Sequence, residues 1–544
     1  MKNSNISSPK SLLRMRERGL TSLSWERKGQ DIHGETEFDE SGYEVSLSGD
    51  GNILAVGAPY NDDNPYESGH VRVFQFIDGL WSQMGEDIDG EASGDYSGRS
   101  VSLSHNGHIL AVGASHNDGN GDGAGHVRVF EFVGGSWSQM GEDIDGEYPR
   151  DWSGESVSLS DNGLIVAIGA QGNDDTDINS GHVRVYEFAD GAWSQMGDDI
   201  DGEQRGTASG RSVSLSSNGL ILAIGAYNIF YDGYGTRPTG KGSVRVFKFS
   251  NGAWSQMGDN INGGDWFDYA YYVSLSGDGQ ILAIAARGDD TNGRNVGAAR
   301  VYEFTDGSWT LMGDPVYGEE EFDFYGSSVS LSDSGHTLAV GSFGNDANGE
   351  SSGHVRVFEF VDGSWSKLGD DIDGLTAEDK SGRSISLSGD GKLVAIGAPG
   401  NNQNGRDSGV VRVMSYGDSD SILEIIDNKL SACEGHCTKD SQCQNGLSCY
   451  KRSGIEAVPG CAGYGISGQN YCSNRPPDYL FFVGSNRPAG SLGPCEGKCT
   501  ADADCQEGLV CHPRIRFDPV PGCDGTGRKN HGYCIHPGGI APSR

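Results

Sequence analysis

The sequence predicts an all-β protein: a seven-bladed β-propeller with four-stranded blades, followed by two small disulfide-rich modules. Three observations carry this. A unit of about 56 residues recurs seven times, each unit holds four short β-type segments, and the twelve cysteines fall into two equally spaced sets of six. Self-similarity at such a period marks a repeat architecture, and four strands per repeat marks a propeller blade.

The segments can be read in order. Tryptophans stand at Trp25, Trp81, Trp137, Trp193, Trp254, Trp309 and Trp365. Val/Ile-Ser-Leu-Ser runs begin at Val45, Val101, Val157, Val213, Val273, Val329 and Ile385. Runs like Ile-Leu-Ala-Val-Gly-Ala follow from Ile53, Ile109, Ile165, Ile221, Ile281, Thr337 and Leu393, then Val-Arg-Val-Phe-like runs around arginines 72, 128, 184, 245, 300, 356 and 412. These short Val-, Ile- and aromatic-rich stretches read as strands. Trp25 precedes the first Val-Ser-Leu-Ser run, and no tryptophan strand follows Arg412. The spare N-terminal strand should therefore complete the last blade beside Val411-Arg412-Val413 and close the ring, which removes exposed sheet edges.

Turn chemistry orients the faces. Gly49-Asp50-Gly51 and Asp278-Gly279 join first and second strands, while Asp78-Gly79, Asp190-Gly191, Asn251-Gly252 and Asp362-Gly363 join third and fourth. These are tight hairpin signals. The longer connections, such as Asn61 to Gly69 within a blade and Asp89 to Gly98 between blades, should share the opposite face, where function is expected.

Runs such as Tyr325-Gly326-Ser327-Ser328-Val329-Ser330-Leu331-Ser332 and Ala55-Val56-Gly57-Ala58-Pro59 resemble FG-GAP repeats, the units of the integrin α-subunit propeller. The resemblance covers about residues 22 to 416, and the full Gly-Ala-Pro stands only at Pro59 and Pro399. It implies extracellular adhesion or ligand recognition without chemistry. That family carries its calcium loop between first and second strands, where this chain has only a tight Gly-Asp-Gly-type turn, so those calcium sites are not carried over.

Cys433, Cys437, Cys443, Cys449, Cys461 and Cys472 are repeated 62 positions later by Cys495, Cys499, Cys505, Cys511, Cys523 and Cys534. Modules of about 40 residues cannot bury enough apolar surface alone, and three disulfides in each is the natural reading. Six cysteines allow 15 pairings, which spacing leaves open. Zinc competes, but its paired Cys-x-x-Cys spacing is missing. The modules are similar to cysteine-rich repeats that accompany propellers in algal secreted proteins. The expected organisation is a disordered segment over 1–20, the propeller over 21–416, a linker over 417–431, modules over 432–475 and 493–537 separated by a linker over 476–492, and a tail over 538–544.

Composition narrows the partners. A net charge of −37 argues against nucleic acid, whose phosphates need a basic partner. It leaves divalent cations, neutral glycans and basic protein patches. No apolar run approaches the length of a bilayer-spanning segment, and the candidate Tyr479-Leu480-Phe481-Phe482-Val483 is far too short. The cysteine reading predicts an extracellular or cell-surface protein, yet Met1 to Leu20 lacks the apolar core of a signal peptide. A natural start upstream is the favoured explanation, beside unconventional export or cysteines that stay reduced.

A residue present in every repeat serves the blade, and recognition is expected where repeats diverge. On that ground the seven arginines are structural, each paired or hydrogen-bonded, and the tryptophans are core anchors. His70, His126, His182 and His354, just before the third strands, are expected to make hydrogen bonds there rather than bind metal. Divergence concentrates at Phe230, Tyr231 and Tyr234 in an insertion over 228–242, at Trp266, Phe267 and Tyr269 in the next inter-blade loop, and at Phe322 and Phe324 in the one after. Aromatics mixed with Asp and Asn suit glycan or protein ligands, while Tyr325 should plug the blade junction. Asp118, Asn120 and Asp122, with Asp175, Asp177 and Asn179, have the alternating oxygen donors of a calcium loop but no twelfth-position glutamate. Asx-turns explain the same composition. Calcium is the one candidate cofactor.

No His-Glu-x-x-His or phosphate-binding loop is present, and the one Gly-x-Ser-x-Gly match, Gly349 to Gly353, lacks the helix that should follow the serine of a nucleophile elbow. The sequence therefore predicts a non-catalytic extracellular or cell-surface binding or adhesion protein that uses its long-loop face, with calcium as an optional aid. Two alternatives stand beside it: a propeller carbohydrate-active enzyme with paired carboxylates, and a purely structural polyanionic matrix protein.

Overall fold

The structure is a computed structural model that describes residues 23–62, 66–227, 241–264 and 268–417, together with six short strands further on. The chain divides into two units, Met1–Ser419 and Asp420–Arg544. The first is a closed seven-bladed propeller made entirely of strands among the described residues. In blade 1 the strands are Glu44–Leu47, Ile53–Ala58, His70–Ile77 and Leu80–Gln83, all antiparallel. Blades 2 to 6 repeat the pattern from Ser100, Ser153, Ser209, Ala270 and Ser328.

Blade 7 combines Ser384–Leu387, Leu393–Ala398 and Val410–Gly417 with the N-terminal strand Ser24–Arg27. The ring closes as expected, but the register differs. Trp25 pairs with Tyr416 and Arg27 with Met414, while Val410 and Val411 pair with His33 and Ile32. The cause is a fifth strand of two residues that the sequence reading missed. After every fourth strand the chain returns to the first half of the eight-residue third strand, as Ile88–Asp89 does against His70 and Val71. The Asp-Ile-Asp that recurs at 87–89 and 143–145 was its signal.

Each repeated residue has a traceable task. The second strands are buried along their whole length in five blades and at all but the first residue in the other two. Their glycine admits the neighbouring blade: a Cβ at Gly57 would lie 2.2 Å from the Gly98 carbonyl oxygen. Each of the seven repeated tryptophans donates its indole N–H to a carbonyl of the preceding blade, as Trp137 Nε1 does to Met84 O at 2.7 Å and Trp25 Nε1 to Leu368 O at 2.7 Å. The strand-three arginines are structural in the expected way. Arg72, Arg128, Arg184, Arg245 and Arg412 donate to carbonyls of the preceding inter-blade connection at 2.6–2.8 Å. Arg300 and Arg356 instead take the carboxylates of Asp289 and Asp371.

Two closed circles of hydrogen bonds run round the axis. The middle serine of each Val/Ile-Ser-Leu-Ser run accepts the leucine N–H of the next blade at 2.9–3.0 Å, seven times without a break. At the tight-turn end, backbone N–H groups link Gly49 to His105, then Asp161, Ser217, Gly277, Asp333, Gly389 and back to Gly49, at 2.8–2.9 Å. The His105 ring reaches across the axis, with Nδ1 3.9 Å from both Asp161 and Asp333.

In the second unit the described backbone repeats itself. Cys449 faces Cys472 across one strand pair, and Cys511 faces Cys534 across the equivalent pair 62 positions on. The cysteine side chains and their pairing lie outside the described residues.

Candidate ligand-binding site

Long connections of both kinds do emerge on one face. They are tied to each other, as by Ser97 N–H to Ser68 O at 2.8 Å and by the Gly69–Ser97 bridge. The last residue before each first-strand bridge there has a positive φ: Glu40, Tyr96, Trp152, Ala208, Tyr269, Phe324 and Lys380, all at 49–56°. This left-handed conformation favours glycine or asparagine and strains bulky residues. Four of the seven are nonetheless aromatic.

These rings pack onto the residues that follow the second strands. Tyr60 meets Tyr96 at 5.2 Å between centroids, Tyr96 meets His116 at 4.8 Å, and His116 stacks on Trp152 at 6.1 Å. On blades 4 to 6, Tyr227 stacks on Tyr269 at 4.9 Å and Phe324 on Phe343 at 5.4 Å. The result is a partial aromatic collar, interrupted at Glu40, Gly172, Ala208 and Lys380, where the repeats carry no ring.

The collar stands over an axial cup of about 170 Å³, lined where the first strands begin. Tyr43, Glu44, Arg99, Glu155, Arg211, Tyr272 and Arg383 line it alongside serines and valines. The serines Ser100, Ser156, Ser328 and Ser384 are spent on neighbouring backbone carbonyls. Glu155 is held between Arg99, at 3.1 Å, and Arg211. Arg99 and Arg383 both donate to the Tyr43 hydroxyl, Arg383 at 2.9 Å, and both guanidinium groups lie over its ring. Tyr43 in turn meets Tyr60 of the collar edge-on at 6.1 Å.

The cup is thus electropositive inside a strongly acidic protein. Three guanidinium groups face one carboxylate, Glu155, and a second acid, Glu44. Burial pushes the Glu44 carboxyl up to about 7, against the pull of Arg383 and Arg99. Burial would raise the Tyr272 hydroxyl, but Arg383, Arg211 and Arg287 draw it below the usual phenol range. A second anion brought by a ligand would meet partners already in place.

Among the residues the sequence singled out, Tyr269 and Phe324 join the collar, and Phe322 stands exposed beside Phe324 with Arg294 over its ring. Tyr325 is fully buried in the blade core, as expected. Phe230, Tyr231, Tyr234, Trp266 and Phe267 lie outside the described residues. Most of the calcium candidates take partners in or beside their own loops. Asp118 Oδ1 accepts Gly123 N–H at 2.8 Å, the Asn120 amide donates to Gly146 O and Glu147 O, and Asp122 pairs with Arg150. Asp177 Oδ1 accepts Ile178 N–H, Asn179 N–H goes to Asp174, and only Asp175 approaches other donors of another segment.

The strand-start histidines correct the sequence reading. Neither ring nitrogen of His70 or His182 has a hydrogen-bond partner, although both rings are buried. Sequence reasoning also missed Tyr60, Tyr96, His116, Trp152 and the cup residues. Their signal was present: within the Ser-Gly-x-x-Val/Ile frame that five of the seven repeats keep, the x positions vary freely, as Tyr43-Glu44, Arg99-Ser100, Glu155-Ser156 and Arg383-Ser384.

Two stretches, residues 35–74 and 88–130, match the FG-GAP repeat family. The protein is therefore an all-β propeller that carries FG-GAP repeats. No curated protein matches the chain. Among solved structures, hydrazine synthase of Kuenenia stuttgartiensis is similar with a TM-score of 0.45 and 12% identity, over 71% of this chain and 99% of that one. A likeness of that order says nothing of chemistry here. No helix among the described residues is long and apolar enough to cross a membrane.

Proposed function

We propose that the protein is a non-catalytic extracellular or cell-surface binding protein whose ligand is an acidic sugar chain, taken at the mouth of the axial cup. A uronate carboxylate enters among Arg99, Arg211 and Arg383, while the collar rings stack on sugar faces. Arginine suits this because its planar fork pairs with a carboxylate in two parallel hydrogen bonds. The observation that carries the reading is the placing of four aromatics at strained left-handed positions around an arginine-lined cup. Strain of this kind collects at ligand clamps, where another requirement outweighs relaxed backbone.

The test is calorimetric titration with oligouronates and with neutral oligosaccharides of equal length. Uronates bind, neutral chains do not, and Arg211→Gln or Arg383→Gln weakens binding at least about tenfold, or roughly 1.4 kcal/mol. Equal binding of both chain types, or no effect of either substitution, overturns the reading.

One observation favours a second reading, a carbohydrate-active enzyme. Glu44 and Glu155 are two carboxyls of one cup in unlike settings, one raised by burial and one clamped by two arginines, the contrast that an acid and its partner carboxylate need. Release of reducing ends from an oligouronate, abolished by Glu44→Gln, would replace the binding reading with this one.

A further inference from the structure

A second feature lies away from the cup, on blade 3, and stands independently of the reading above. His182 opens the third strand of that blade and is 0% exposed. Neither of its ring nitrogens has a hydrogen-bond partner. A buried polar group normally finds one, because an unmet donor or acceptor costs about 1–3 kcal/mol.

Three carboxylates surround its Nδ1, each just beyond hydrogen-bonding range. Asp199 Oδ2 lies at 3.8 Å, Glu147 Oε2 at 3.9 Å and Asp175 Oδ2 at 4.0 Å. All four atoms lie within 4.8 Å of one another. The donors come from three segments: Glu147 from the connection between blades 2 and 3, Asp175 from the long loop of blade 3, and Asp199 from just before the two-residue strand Ile200–Asp201. With the three edges at Nδ1 between 3.8 and 4.0 Å and no two donor atoms more than 4.8 Å apart, a common centre lies within roughly 2.8 Å of each, so closing to the 2.0–2.2 Å of nitrogen and carboxylate ligation takes only a small inward shift of the donors.

The surroundings hold the donors in that posture. Arg184 lies 3.6 Å from Glu147 Oε1 and leaves Oε2 facing the imidazole. Asn173 Oδ1 accepts the Asp175 N–H at 2.9 Å, which fixes the start of that loop. Among the described residues, blades 1 and 2 carry the corresponding groups Glu35, His70, Asp87 and Glu91, His126, Asp143, with three donors each. In blade 2 the position of Asp175 is taken by Gly119, so no fourth carboxylate is supplied from that loop position.

We propose that Glu147, Asp175, His182 and Asp199 form a binding site for one divalent transition-metal ion of the zinc or manganese class. The donor set selects that class: imidazole is a poor calcium ligand, and three carboxylates suit manganese or zinc better than copper. The bound ion would pin the loop of blade 3 to the connection from blade 2, a cross-link at the edge of the long-loop face.

The test is titration of the full chain with Mn2+, followed by paramagnetic resonance of the free ion, in salt near 0.15 M so that diffuse attraction to surface acids is screened. Mn2+ avoids competition from the cysteines of the tail, since thiolates prefer softer ions. One equivalent binds and is displaced by Zn2+. Asp175→Asn and Asp199→Asn, at partly exposed side chains that tolerate the change, each weaken it at least about tenfold. Mn2+ also raises the melting temperature of the natural chain, and of neither variant. Uptake that disappears on screening, or a site of unchanged affinity in both variants, overturns the proposal.

Discussion

Trp25 packs against Tyr416 with 5.2 Å between ring centroids, joining the beginning of the propeller to its end. Trp25 Nε1 also donates to Leu368 O of the preceding blade at 2.7 Å, so one side chain fastens both the last blade and its neighbour. In a ring each blade is covered by two others, and this seam is where that cover is assembled from distant sequence.

Trp25→Ala is accordingly expected to cost about 3 kcal/mol, the usual price of a large aromatic core truncation. Urea denaturation followed by circular dichroism measures it. A loss no greater than for an exposed residue would mean that the ring holds without this latch.

Gly57→Ala should be as severe through the opposite fault. The new Cβ would fall 2.2 Å from Gly98 O, so two blades must part, at about 1–3 kcal/mol. The same urea midpoint reads it. Gly79→Ala is the contrast, with φ at +86° but no neighbour within 4 Å, so only its backbone strain is felt.

Ala208 occupies the interrupted part of the collar at φ 49°. Ala208→Gly relaxes that backbone and is expected to raise stability by up to about 1 kcal/mol with ligand affinity unchanged. Trp152→Ala, at the same repeat position, should leave stability within about 1 kcal/mol and lower affinity for an acidic sugar, since it removes a collar ring but keeps the strained backbone. Thermal melts beside titrations separate the two effects.

Glu44 gives the pH dependence. Its folded pKa, raised by burial to about 7, exceeds that of an ordinary carboxyl. The neutral form is therefore the one the fold favours, and its stabilising share is complete below the ordinary carboxylate range and lost as pH rises through about 7. Ligand binding follows the same sign, because a second carboxylate in the cup repels an incoming anion. Affinity for oligouronate should fall between about pH 6 and about pH 8. Glu44→Gln should remove part of that fall, and Glu44→Gln with Tyr272→Phe, which also removes the hydroxyl that the arginines, against burial, draw down to about 7, should flatten it.

The propeller was legible because its residues repeat with their tasks: Trp25 to Trp365 as interblade donors, the middle serines as links round the axis, the arginines as braces. Ring closure followed from counting strands. Its register did not, because the two-residue strand Ile32–His33 is too short to announce itself by alternation, and it takes the place beside Val410–Val411 that Trp25 was expected to fill. Tyr325 was placed correctly because its position matched the repeat frame.

The site was less legible for a geometric reason. The search for divergence favoured long aromatic loops, whereas the cup is built at single positions inside a constant frame. Arg99, Glu155, Arg211 and Arg383 lie far apart in sequence and converge only because seven first strands surround one axis. His182 escaped for a related cause: its three carboxylates come from connections whose approach depends on the short fifth strands.

A crystal structure of the propeller with a bound uronic trisaccharide tests the central claim most directly. A carboxylate within hydrogen-bonding distance of at least two of Arg99, Arg211 and Arg383, with a sugar ring against Tyr96 or Trp152, is the expected result. A trisaccharide seated on the outer edge of a blade, with the axial cup empty, would contradict it.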